Sequence, residues 1–143
     1  MGYTHYWRFS KVVKNIDKSE EKFATAVNLF KKKLKELPKD IRLCNGNGKG
    51  KPIITPTDVV FNGSAKNGED FDTFYIGLDY DESDSKFNFC KTNRLPYDVA
   101  VCLALLCFKY AYGIDFRYFS DGERTDEGWA LAHQILSKFT PDS

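Results

Sequence analysis

Pro96-Tyr97-Asp98-Val99-Ala100-Val101-Cys102-Leu103-Ala104-Leu105-Leu106-Cys107-Phe108-Lys109-Tyr110-Ala111-Tyr112-Gly113 is the stretch on which the fold turns. Proline suits a first helical turn, where its missing N–H would have had no partner. Asp98 lies early and Lys109 late, each complementing the helix dipole. Gly113 stands where a left-handed C-terminal cap is expected. From Val99 to Phe108 the residues are apolar all round, which marks a helix buried on most sides. At about 1.5 Å per residue it is too short to cross a bilayer. It therefore predicts a central core helix, with Leu103 and Leu106 buried.

Tyr3 to Phe9 alternates and is rich in strand formers, placing Tyr3, His5, Trp7 and Phe9 on one face and Thr4, Tyr6 and Arg8 on the other. Asp17 and Glu20 have capping-box spacing before a helix. Its apolar stripe is Phe23, Val27, Phe30, Leu34 and Leu37; lysines crowd its last turns and Pro38 ends it. Ile41–Leu43, Asp58–Gly63, Phe71–Leu78 and Lys86–Cys90 read as strands, the second running into an Asn62-Gly63 hairpin turn. After the core helix, Ile114–Phe119 reads as a strand and Thr125–Phe139 as a helix with Trp129, Ala132, Leu136 and Phe139 inward. Strands in short hairpins followed by helices predict an α+β domain: a largely antiparallel sheet with about three packed helices. Parallel pairing is possible only across the core helix, which is long enough for a crossover.

The chain has 143 residues, 42% of them apolar, 29% charged and 15% aromatic. That is one globular domain, residues 1–143, with enough apolar surface to order itself. No apolar run is long enough for a membrane span and the start lacks a secretory pattern, so an intracellular, membrane-free setting is expected. Net charge is +1, which excludes a globally basic nucleic-acid binder, and no sequence-specific nucleic-acid partner is expected. The charge is divided locally. Lys11–Lys51 holds twelve Lys or Arg against five acids, and Asn67–Phe87 holds seven acids against one lysine.

Several tempting motifs fail on spacing. Gly46 to Gly50-Lys51 has three residues between, not the four of a Walker A loop, and Pro52 follows where Ser or Thr is needed. This glycine-rich basic stretch reads as a mobile hairpin tip or an anion-contacting loop. Asp79–Asp84 lacks the glycine and distal glutamate of an EF-hand. Cys44, Cys90, Cys102 and Cys107 read as free thiols, without the paired spacing of a zinc site. No metal or cofactor is expected. Catalytic motifs are absent, leaving only a Cys90–His5 thiolate pair or the turn acids Asp121 and Glu123 as enzymatic options.

Two polar turns stand out. Lys91, Thr92, Arg94 and Tyr97 gather at the start of the core helix, where outward-pointing N–H groups favour anions. Arg can grip a phosphate with two parallel hydrogen bonds. Arg117, Ser120 and Asp121 lie at the end of the last strand; if that strand ran beside the Cys90 strand, both turns would share one edge. The competing reading makes Thr92, Asn93 and Asp98 helix caps, and Ser120 with Glu123 a capping box.

The opening Met1-Gly-Tyr-Thr-His-Tyr-Trp7, with Phe61-Asn-Gly63, Phe89-Cys-Lys-Thr92, Pro96-Tyr-Asp98 and Ser120-Asp-Gly122, resembles a family of small phage and prophage proteins across nearly the whole chain. That family has no assigned activity, so no catalytic residue carries over. The resemblance implies an anti-defence protein in the cytoplasm of an infected bacterium. Such a protein would be a non-enzymatic sponge for a small anionic ligand, a nucleotide immune signal. Lys91, Thr92, Arg94, Tyr97, Arg117, Ser120 and Asp121 would bind it, with Tyr97 as the base-stacking surface. The alternatives are an inhibitor that sets the lysine-rich helix against an acidic protein, and a small phosphodiesterase using Asp121 or Glu123. The surplus of aromatic rings predicts a homo-oligomer, most simply a two-fold dimer.

Overall fold

The computed structural model describes residues 3–9, 19–78, 88–123 and 125–137. Strand β1 (Thr4–Phe9) is followed by helix α1 (Ser19–Leu34), then β2 (Ile53–Ile54), β3 (Asp58–Phe61), β4 (Phe74–Gly77) and β5 (Asn88–Lys91). Helix α2 (Asp98–Tyr112) passes through a single 3-10 turn (Gly113–Asp115) into β6 (Phe116–Ser120), and α3 (Glu127–Ser137) completes the fold. The architecture is α+β, as the sequence predicts. Asp17, the Asp79–Asp84 loop and Phe139 lie outside the described residues.

The strands form two antiparallel sheets, ordered β5-β1-β6 and β2-β3-β4. The first carries His5, Trp7, Phe9, Cys90 and Phe116 inward, all buried, because side chains alternate across a strand. Helix α2 packs against both α1 and α3. It matches its sequence pattern: every residue from Asp98 to Phe108 is buried, Leu103 and Leu106 among them. Gly113 takes φ +61° and its N–H bonds the Lys109 carbonyl, ending the helix. Rings join the two sheets: Trp7 to Phe74 and Phe74 to Phe61 are each 4.9 Å apart between centroids, and Phe30 of α1 stacks on Phe61 at 5.8 Å. One contiguous core results.

Four sequence expectations change here. Strand β6 does not lie beside β5, because β1 separates them. Both flanking strands run antiparallel to β1, so their C-terminal ends still meet at one end of the sheet: Lys91 lies opposite Thr4, and Ser120 opposite His5. The crossover through α2 is thus present without a parallel ladder. Ile41–Leu43 is not a strand; only the neighbouring Cys44 bridges, to Asn62. Asn62-Gly63 is not a hairpin turn. The buried Asn62 amide instead bonds outward across the long β3–β4 connection, accepting from the Gly63 and Phe71 amides and donating to the Gly46 and Phe71 carbonyls. Gly63 is confined as a result: a Cβ there would sit 2.0 Å from the Glu69 carbonyl oxygen. Backbone cannot yield as a flexible side chain does, so Gly63→Ala is expected to cost about 1–3 kcal/mol, the range of overpacked sites. Urea denaturation measures it, and an unchanged midpoint would refute the close approach.

All four cysteines are free and buried. Burial raises the Cys107 thiol to about 12, and burial together with Asp98 raises Cys102 well above the usual thiol range. Thiolate is the reactive form. Native protein at pH 8 is expected to leave an aromatic disulfide reagent unreacted, and to titrate four thiols once unfolded. A fast native thiol would contradict this burial.

Candidate functional site

The seven residues singled out by sequence divide into an inner and an outer set. Thr92, Tyr97 and Ser120 turn inward. Tyr97 is fully buried, its hydroxyl donating to the Asp72 carbonyl at 2.7 Å. Burial raises its phenol far above the ordinary value. It offers no face to a base, which corrects the stacking role expected for it. Its ring belongs to the core, between the end of β5 and the start of α2.

Thr92 and Ser120 join a buried knot around His5. Ser120 Oγ accepts hydrogen bonds from the Gly122 amide at 2.9 Å and from Trp129 Nε1 at 3.0 Å. Both lone pairs are then used, so its own hydrogen points to His5 Nδ1, 2.8 Å away. The other ring nitrogen, Nε2, therefore carries the ring hydrogen and donates to Asp98 Oδ1 at 2.6 Å. Thr92 Oγ1 donates to the same oxygen at 2.5 Å, and the Cys102 thiol donates to Asp98 Oδ2 at 3.7 Å. The connectivity Ser–His–Asp is that of a hydrolase relay. Its geometry is not: Ser120 Oγ is held by two N–H donors, the Gly122 amide and Trp129 Nε1.

His5, Asp98 and Cys102 also bring three potential metal-ligating atoms within 4.8 Å of one another. A cation there would have to displace the hydrogens just assigned to Nε2 and Sγ, so the donor set reads as a hydrogen-bonded knot. It ties β1, α2, β6 and α3 together. The Cys90–His5 pair does not form, since Cys90 Sγ donates to the Asp72 carbonyl at 3.4 Å although the two residues are cross-strand neighbours.

Asp121 serves the backbone, its carboxylate accepting the Thr4 amide at 3.0 Å. The Ser120–Glu123 capping box is replaced by Asp126, whose carboxylate accepts the Glu123 amide at 2.9 Å and is held below its usual pKa chiefly by that bond. Arg94 lies 4.0 Å over the Tyr3 ring and 3.7 Å from Asp126, and keeps 63% of its side chain exposed.

Lys91 and Arg117 turn outward, onto the solvent face of the β5-β1-β6 sheet. Tyr6 lies opposite both Phe89 and Phe119, so three rings form a row across all three strands. Phe89 is 62% and Phe119 52% exposed, too open to count as core. Arg8 lies directly opposite Arg117, and Lys91 opposite Thr4, setting cations on either side of the row. Tyr6, Arg8, Phe89 and Phe119 were not identified from sequence as site residues. Their signal is local: Tyr6-x-Arg8, Phe89-x-Lys91 and Arg117-x-Phe119 each pair a ring and a cation two residues apart, hence on one face.

No protein-family model, curated protein or solved structure matches the chain. Among the described residues, no helix is long and apolar enough to cross a membrane.

Proposed function

We propose that the chain binds a small nucleotide on the open face of the β5-β1-β6 sheet and holds it without turnover. The row Phe89–Tyr6–Phe119 carries this reading. Any base has a π-face, and exposed rings on a sheet are a stacking platform for it. Lys91, Arg8 and Arg117 then supply the cations for phosphate. The aromatic role passes from Tyr97 to these three rings, while Lys91 and Arg117 keep the role expected for them. A sponge of this kind would hold an immune signal away from its effector in an infected bacterium, the setting that the family resemblance implies. A two-fold dimer would enclose the ligand between two such faces.

The test incubates purified protein with mono-, di- and cyclic nucleotides, then heats it to release what was held. Depletion of one nucleotide, followed by its intact recovery, is expected. Recovery of a degraded product would favour a phosphodiesterase, and depletion of none would favour a protein partner through α1. Light scattering at micromolar concentration decides the dimer, and a mass of 16.4 kDa would remove the shared-pocket form.

A further inference from the structure

The glycine-rich basic stretch is not the mobile tip that its composition suggests. Gly46 N–H donates to its neighbour Asn45 Oδ1 at 2.7 Å, and Lys49 N–H donates to Asn47 Oδ1 at 3.0 Å. The Gly46 carbonyl accepts from Asn62 Nδ2 and from Thr73 Oγ1, and the Gly48 carbonyl accepts the Ala65 amide at 2.9 Å. Gly48 adopts φ +80° and is so close to residue 65 that a Cβ would lie 2.7 Å from Ala65 Cβ. Only glycine fits that position, so the loop is folded down on the 64–67 segment and fixed there.

Between the two segments lies a surface cavity of about 570 Å³. That volume falls within the ordinary range of small-ligand sites. Arg42, Lys49, Lys51 and Lys66 line it, together with Ser64, and among the described residues no carboxylate does. In a chain of net charge +1, four cations around one hollow are a local concentration of charge. None of the four joins an ion pair among the described residues. Ser64 is 4% exposed, and its Oγ accepts the Asn67 amide, which leaves its hydroxyl hydrogen to be donated.

We infer that this cavity is a second anion site, built for the di- or triphosphate group of a small ligand. A pinned loop loses little entropy on binding, and several cations facing one volume suit a compact multiple charge better than a single carboxylate. The cavity shares no residue with the sheet face, so variants at one test it independently of the other.

Titration calorimetry with inorganic tripolyphosphate at low ionic strength tests it. One-to-one binding is expected, weakened at least tenfold in Lys51→Gln/Lys66→Gln and unchanged in Lys31→Gln, which removes an exposed charge from α1. A nucleoside triphosphate run alongside identifies the source: tighter binding than tripolyphosphate that is itself weakened in Lys51→Gln/Lys66→Gln assigns a nucleotide, and equal binding assigns the phosphate chain alone. Absence of binding at millimolar tripolyphosphate would overturn the inference, as would a loss in Lys31→Gln equal to that in the double lysine variant. Both lysines are exposed, so the variants are expected to fold, and circular dichroism checks this.

Discussion

Replacing His5 with alanine is expected to lower the free energy of unfolding by about 3–5 kcal/mol, the loss seen when a buried charged group is deprived of its partner. Two costs combine. Asp98, 5% exposed, loses the Nε2 hydrogen at 2.6 Å, and Ser120 loses the acceptor for its hydroxyl. The imidazole, fully buried, also leaves a void edged by Tyr3 and Trp129, whose rings meet it at 5.2 and 5.3 Å. A void of that kind forfeits contacts that water does not restore. Asp98→Asn keeps the shape and removes the charge, so it is expected to cost less than His5→Ala. Urea unfolding of both variants gives the comparison. A His5→Ala cost under about 1 kcal/mol would mean that the carboxylate finds water instead, and that the knot does not hold the sheet to the helices.

How far the sequence carries this fold depends on how local each signal is. Val99–Phe108 announces burial by itself, since a helix apolar all round has nowhere else to go. The alternation in Tyr3–Phe9 likewise assigns its faces without knowledge of a partner. Strand order is different: β1 pairs with segments more than eighty residues away, and nothing in Thr4–Phe9 names them. The knot shows the same limit. His5 meets Asp98 across 93 positions and Ser120 across 115, so each looks unpartnered in one dimension.

Tyr97 shows how a correct neighbourhood yields a wrong orientation. Its place beside Lys91 and Arg94 suggests a surface ring, yet at the N-cap of α2 it is fully buried with its hydroxyl on the Asp72 carbonyl. Phe89 carries no orientation in one dimension: the burial along β5 and its register show that Cys90 faces in and the ring faces out. The proposed binding face is thus written in the sequence as ring-x-cation triplets, and becomes visible once three strands are placed side by side.

That placement makes the binding prediction separable from stability. Phe89→Ala/Phe119→Ala removes the two outer rings of the row and leaves Tyr6 between them. Stacking is worth about 1–3 kcal/mol per base, so nucleotide affinity is expected to fall by about fivefold to 150-fold for each ring that carries a base. Both side chains are more than half exposed, and their removal takes little from the core, so the unfolding midpoint is expected to stay within about 0.5 kcal/mol of the parent. Arg117→Gln is expected to weaken binding as well, but in a way that high salt imitates, because a surface charge acts through a screened field. The aromatic loss should persist at all salt concentrations. Equilibrium dialysis with the nucleotide that the panel selects, at low and high salt, separates the two contributions. If the double variant binds as tightly as the parent, the row is not a stacking platform. If it also unfolds several kcal/mol earlier, the rings are structural and the open face is covered in solution by something other than a nucleotide.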